Sequence, residues 1–300
     1  MSCIHDIPMG ASMDNGSRIE FTLEQALVGA ARDCPPKLAA ALRYAVFPGG
    51  ARLRPKLSLA VAWACGEDDQ AIVNGAAAAV ELLHCASLVH DDLPCFDNAD
   101  SRRGKMSLHR AYGEQIAVLS GDALIVLAFD TLALGAHKHP TRLAPLSIIV
   151  SRATGAPGGL CAGQAWECED QIDLSRYHRA KTGALFAAAT MAGAAAAGVA
   201  HEPWRALGEY VGEAYQVADD IRDVAGNPET MGKPVGRDEA LARPSACREL
   251  GLRGAVTRLN DLVDLAVESI PACTRAAELR ALIRHQASHF LPADIAQAAA

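Results

Sequence analysis

Two groups of aspartates are the residues best placed to do chemistry. The first is Asp91-Asp92-Leu93-Pro94-Cys95-Phe96-Asp97 and the second is Asp219-Asp220-Ile221-Arg222-Asp223. On a helix, Asp219 and Asp223 share a face, about 6 Å apart, and repel each other. A hard cation turns that repulsion into coordination. Mg2+ accepts carboxylate oxygens at about 2.1 Å, takes one or two protein carboxylates, and fills its other positions with water and phosphate oxygens. A solvated helix end explains the first group poorly, because acids at a helix C-terminus oppose the dipole. Two such groups facing one another form a clamp for a diphosphate.

The basic residues fit that reading. Arg102, Arg103 and Lys105 follow the first group, Arg52 and Arg54 follow the Gly49-Gly50 turn, and Lys181-Thr182-Gly183 and Lys233 lie further along. Guanidinium groups hold phosphate oxygens in pairs of hydrogen bonds. No Ser-His-Asp or activated-cysteine arrangement stands out, so the chemistry proceeds without a protein nucleophile.

The elements that must position these groups read as helices. Apolar residues take helical spacing from near Phe21, leaving 1–20 as a flexible segment, and turns are marked by Cys34-Pro35-Pro36, Pro48-Gly49-Gly50 and Gly66 to Asp69. A long apolar helix over 70–91 ends near Asp91, since Pro94 cannot continue it, and 93–107 reads as a polar loop. Helices are predicted over about 116–136, 141–154, 158–170, 174–200 and 204–224, then 245–270 and 274–290. Between the last two groups, Ala225 to Pro244 reads as a surface loop rich in Gly, Pro and charge. One domain over 21–292 with a frayed tail at 293–300 is the expected organisation, as nothing resembles a dividing linker.

Composition bounds the class. With 300 residues, 50% hydrophobic content, 5% aromatics and recurrent alanine runs, the expected fold is all-α, with ten or more closely packed helices around a central cavity. A net charge of -7 gives no general attraction to nucleic acid or to an anionic membrane. The nine scattered cysteines never take C-x-x-C spacing, which fits a reducing cytoplasm. The first twenty residues lack the pattern of a signal peptide. Gly183 to Ala200 is uncharged, but its alanine and glycine gain little in lipid, so a buried central helix is expected and no stable membrane insertion.

Several motifs, in order, resemble the trans-prenyl diphosphate synthase family over about Leu38 to Asp238. They are Gly49-Gly50-Ala51-Arg52-Leu53-Arg54-Pro55, Glu81-Leu82-Leu83-His84, His90 to Asp97 with Arg102-Arg103-Gly104-Lys105, Gly163-Gln164, Lys181 to Leu185, and Gln216 to Asp223. The wording is similar to geranylgeranyl diphosphate synthases of carotenoid- and bacteriochlorophyll-making bacteria. The resemblance implies an isoprenoid-synthase-type bundle, commonly a homodimer with an interface near 116–134. It also implies Mg2+-dependent joining of isopentenyl diphosphate to an allylic diphosphate, with about three ions per site, Mn2+ as a substitute, and few protein carboxylates on each ion.

Carried over by position, the resemblance implies that Asp91, Asp97 and Asp219 bind metal, with Asp92, Asp220 and Asp223 completing or orienting that shell. Arg102, Lys181 and Lys233 would neutralise the allylic diphosphate, and Thr182 and Gln216 would line the reacting end. Arg54, His84 and Arg103 would hold isopentenyl diphosphate, with Arg52 nearby. The family usually has Lys where this chain has Ala51, a loss of roughly 1–3 kcal/mol of charge-assisted binding if nothing compensates. A terpene cyclase fits less well, because its second motif carries Asn, Ser and Glu. A farnesyl diphosphate synthase and a non-catalytic partner subunit are the remaining alternatives.

Product length follows from a wall. Each five-carbon unit gains roughly 4 kcal/mol in an apolar tunnel, so growth continues until something blocks it. One turn before Asp91 stand Ala86 and Ser87, both small, where a farnesyl-specific enzyme usually has a bulky aromatic. The twenty-carbon product is therefore expected, with Leu119 or Phe129 among the candidates for the stopping side chain.

Overall fold

Alanine- and leucine-rich runs, broken at proline and glycine, fold into an all-α bundle in the computed structural model, which describes residues 15–47, 49–171, 174–225 and 245–291. In chain order the helices are α1 (Asn15–Ala30), α2 (Pro36–Val46), α3 (Leu53–Cys65), α4 (Gln70–Asp91), α5 (Leu108–Tyr112), α6 (Glu114–Gly135) and α7 (Pro140–Thr154). They continue with α8 (Leu160–Ala165), α9 (Leu174–His178), α10 (Ala184–Ala196), α11 (Arg205–Ala225), α12 (Ala246–Glu268) and α13 (Ala276–Ala287).

The core has two halves that share α10. On one side α1, α2, α4, α6 and α7 enclose residues such as Leu23, Leu82, Leu124 and Leu146, and on the other α3, α11, α12 and α13 enclose Leu207, Ile221 and Leu262. Every residue of α10 from Leu185 to Ala196 is buried, so the uncharged stretch is the central helix, as its composition implies. Two other helices, α4 and α6, are long and apolar enough to cross a membrane. They pack along each other, and their backbones meet where Gly75 and Gly135 cross: a Cβ on Gly135 would lie 2.8 Å from the Ala71 carbonyl.

Three sequence expectations need correction. First, α1 starts at Asn15, so the flexible segment does not extend to residue 20. The helix is held early because Ile19, Leu23 and Leu27 form one buried stripe, while the Arg18 guanidinium donates to Asn74 and Glu67. Secondly, 93–107 is not all loop: Ser101–Arg102 pairs antiparallel with Lys105–Met106. The turn needs positive φ at Arg103 and Gly104, 53° and 75°, a conformation that a sequence reading does not expect of arginine. Thirdly, the helices predicted over 158–170 and 174–200 are broken into shorter pieces. A 3-10 turn follows α8 at Trp166–Cys168, a π-helical turn at Arg179–Gly183 separates α9 from α10, and α10 stops at Ala196, before Gly198 at φ 79°. The expected loop over 226–244, with Lys233, and the tail at 293–300 lie outside the described residues.

Candidate active site

The last turn of α4 carries the first aspartate group to the end of the bundle, and the loop folds back on that helix. The Asp97 backbone N–H donates to the Asp91 carbonyl at 3.0 Å, and that of Ala99 donates to the Asp92 carbonyl at 3.2 Å. Asp92 is buried, and both its carboxylate oxygens accept from Arg102 Nε, at 3.0 and 3.2 Å, across from the short hairpin. Asp91 points the other way. Its Oδ1 is shielded from solvent, accepts no hydrogen bond, and lies 3.8 Å from Lys181 Nζ. Burial pushes the Asp91 carboxyl above its usual range, with Lys181 opposing the shift and Asp97 adding to it.

Lys181 reaches this point from the π-helical turn. Such turns add a residue to a helix and occur often at functional sites. The turn lies against α8 so closely that a Cβ on Gly163 would sit 2.5 Å from the Lys181 backbone nitrogen, which accounts for the glycine of Gly163-Gln164. Glu167, which sequence reasoning missed, holds the ammonium: Lys181 Nζ donates to Glu167 Oε1 at 2.5 Å, Tyr177 Oη donates to the same oxygen at 2.6 Å, and Gln164 Nε2 donates to Oε2 at 3.1 Å. Its only sequence signal is the three-residue step from Gln164. Although burial opposes it, the surrounding Asp91, Tyr177 and Glu167 raise the Lys181 pKa, so this ammonium stays charged.

The second aspartate group is joined to the first through Thr182. Thr182 Oγ1 donates to Gln216 Oε1 at 3.1 Å, and Gln216 Nε2 donates to Asp220 Oδ1 at 3.0 Å, one turn along α11. Asp220 Oδ2 accepts from the Ala246 backbone at 2.8 Å, at the start of α12. Asp219 Oδ1 accepts from Arg222 at 3.0 Å, while Asp223 is buried on the same helix. Both oxygens of Asp92 and both of Asp220 accept from protein donors, so these residues brace the loop and α12, which suits the orienting one of the two roles expected of them.

A Mg2+ ion fits what remains. A buried carboxylate oxygen with no donor costs about 1–3 kcal/mol, and Asp91 Oδ1 is such an oxygen, a hard ligand of the kind that suits a hard cation. Among the described residues no three acidic, histidine or cysteine side chains converge into a metal cage, so an ion held here would need further ligands from diphosphate and water.

Beside this site lies a nest of positive charge. His84 Nε2 is 3.4 Å from an Arg54 nitrogen and 3.5 Å from an Arg103 nitrogen. Guanidinium groups only donate, so Nε2 accepts and the ring carries its proton on Nδ1. Burial and then the neighbouring arginines hold the His84 pKa well below its usual value. The two glycines of the Gly49-Gly50 loop lie against arginines: a Cβ on Gly49 would meet the Arg52 guanidinium at 2.1 Å, which Glu20 and Glu81 hold in place, whereas one on Gly50 would meet at 2.9 Å that of the exposed Arg103, which can move aside. Arg52 corrects another expectation. It is 5% exposed and bonds Glu20, Glu81 and the Val46 carbonyl at 2.7 to 3.2 Å, so it ties α1 to α4 and is not open to a substrate. Ala51 is exposed beside it, and the nearest hairpin lysine, Lys105, is bonded to the Tyr44 and Phe47 carbonyls.

A cavity of about 500 Å3 is lined by Asp91, Lys181, Arg54 and His84 together with apolar side chains of α4, α6 and α8. The α4 residues include Leu83, Ala86 and Ser87, and they are joined by Ile125 of α6 and Leu160 of α8. Neither Leu119 nor Phe129 lines it: Leu119 is 52% exposed and Phe129 packs into the core, so Ile125 is the α6 residue that meets the cavity.

Residues 35–275 match the polyprenyl synthetase family. The chain is 55% identical to a geranylgeranyl diphosphate synthase of Cereibacter sphaeroides over 93% of its own length and 97% of that protein's. It is 52% identical to one of Rhodobacter capsulatus, over 91% and 94%. Its fold is similar to a geranyltransferase of Helicobacter pylori solved with magnesium and isoprenyl diphosphate, at 30% identity and a TM-score of 0.74, covering 92% of this chain and 98% of that one. The motifs, the all-α bundle and these matches agree, and the chain belongs to the polyprenyl synthetase family.

Proposed function

We propose that the chain is a Mg2+-dependent geranylgeranyl diphosphate synthase, which joins isopentenyl diphosphate to an allylic diphosphate of dimethylallyl, geranyl or farnesyl length. The observation that carries this is the unsatisfied Asp91 oxygen, 3.8 Å from the Lys181 ammonium, at the head of an apolar cavity lined by the small Ala86 and Ser87.

Asp91, Asp97 and Asp219 would hold the metal, about three ions per site with Mn2+ as a substitute, each ion taking one or two carboxylates. When bound, Mg2+ supplies positive charge against the diphosphate as the allylic carbon–oxygen bond breaks. The chain's own residues do the rest. Arg102, Lys181 and Lys233 neutralise the leaving diphosphate, and Thr182 and Gln216 orient the reacting end. Arg54, His84 and Arg103 hold isopentenyl diphosphate so that its double bond faces the allylic cation. The apolar wall keeps water from that cation. The departing diphosphate takes the proton lost from the new chain, so no side chain has to act as base. We place the enzyme in the cytoplasm, with its product available to carotenoid synthesis.

A homodimer completes the reading. α6 packs its inner face on α4 and leaves Val118, Leu119, Val126 and Leu134 exposed, an apolar strip suited to a second copy of itself. The purified chain, given Mg2+, labelled isopentenyl diphosphate and farnesyl diphosphate, should yield a twenty-carbon product by chromatography. A folded chain that incorporates no label would be the non-catalytic partner instead, and a fifteen-carbon limit from a geranyl starter would make it a farnesyl synthase.

A further inference from the structure

The arrangement of Asp91, Lys181 and Glu167 raises a question that the proposed function leaves open. Lys181 Nζ and Asp91 Oδ1 are opposite charges 3.8 Å apart on half-buried side chains, yet no hydrogen bond joins them. The ammonium is instead bonded to Glu167 at 2.5 Å. Glu167 does not swing freely to meet it, because Tyr177 Oη and Gln164 Nε2 fix its two oxygens at 2.6 and 3.1 Å. The close approach of Gly163 to the Lys181 backbone fixes the base of the lysine relative to the same α8 segment.

We propose that Glu167 is a positioning residue that holds the Lys181 ammonium off Asp91, keeping the Asp91 carboxylate open for Mg2+. This rests on the reading of Asp91 as a metal ligand. The physical argument is competition. A charge-assisted hydrogen bond is about twice as strong as a neutral one, so a free Lys181 would close the remaining gap and bond the orphaned Asp91 oxygen. That bond would have to break before a cation could bind there. With Glu167 in place the lysine is already bonded, and Asp91 keeps an oxygen without a donor. Arriving diphosphate then offers Lys181 a new anionic partner while the metal takes Asp91. The neutral isostere Glu167→Gln retains the shape but loses the charge that holds the ammonium.

The experiment measures Mg2+ binding with inorganic diphosphate by calorimetry, so that no turnover enters the readout. In Glu167→Gln the Mg2+ concentration at half-saturation should rise about tenfold, because Lys181 now occupies Asp91. In a Lys181→Gln background the same substitution should change it less than twofold, since there is no ammonium left to hold. An equal midpoint in Glu167→Gln and the parent would overturn the proposal. So would a tenfold rise that persists in the Lys181→Gln background, which would mark Glu167 as a ligand or a structural brace. Asp91→Asn serves as the control. If it binds Mg2+ and diphosphate as the parent does, the metal assignment itself fails, whereas a weakened Asp91→Asn with a silent Glu167→Gln sinks only the inference drawn here.

Discussion

The Nε2 of His84 accepts from Arg54 and Arg103, at 3.4 and 3.5 Å, so this imidazole is held neutral inside a nest of arginines. Its folded-state pKa lies well below the ordinary histidine value, from burial first and then from Arg54 and Arg103. The unfolded chain therefore binds a proton as pH falls through about 6.5 while the folded chain does not, and stability is lost on the acid side. The loss should be at most about 1.4 kcal/mol per pH unit from this group. Urea midpoints taken from pH 8 to pH 5 should fall more steeply for the parent than for His84→Gln. Parallel profiles would show that His84 is not buried neutral.

Ala86 is buried and lines the cavity one turn from the first aspartate group, so its side chain meets the growing hydrocarbon. Ala86→Phe should shorten the main product to fifteen carbons, at a cost of about 1–3 kcal/mol in stability from overpacking. Product chromatography decides, and an unchanged twenty-carbon product would refute the wall.

Ala51 leaves an opening where relatives usually place an ammonium, and Lys105 is occupied elsewhere. Ala51→Lys should lower the KM for isopentenyl diphosphate about tenfold, equivalent to roughly 1.4 kcal/mol of added charge-assisted contact, with little change in kcat. A KM unmoved by the new lysine would place the isopentenyl site away from this loop.

Val126 and Leu134 are 68% and 65% exposed on the outer face of α6. If that face joins two copies, Leu134→Glu should release folded monomers in sedimentation, while a chain that sediments alike with and without the charge would put the interface elsewhere.

Sequence reading recovers what depends on local pattern. The long helix before Asp91 is legible because its apolar run stops at a proline, and the central helix because alanine packs closely without lipid affinity. The second aspartate group is legible because its charges share a helix face. What the sequence hides depends on contacts made across the fold. Glu167 is silent in sequence because its meaning comes from Lys181, fourteen residues on, reached through a π-helical turn that no periodicity announces. Arg52 reads as a substrate ligand until the fold sets Glu20 and Glu81 on either side of it. For Asp92 and Asp220 the sequence leaves open whether they complete or orient the metal shell, and their partners, Arg102 and the Ala246 backbone, are brought against them only by the fold. α1 hides its start because three apolar residues in a polar stretch gain meaning only from the core they meet.

The central claim is that carboxylates from α4 and α11 grip one diphosphate through divalent ions. Turnover of Asp91→Ala and Asp219→Ala, measured beside their circular dichroism, tests it most directly. The account predicts that each variant keeps the helical spectrum of the parent and loses turnover by at least about a thousandfold, equivalent to roughly 4 kcal/mol of transition-state stabilisation. A folded variant of either aspartate that works at near-parental rate would contradict it.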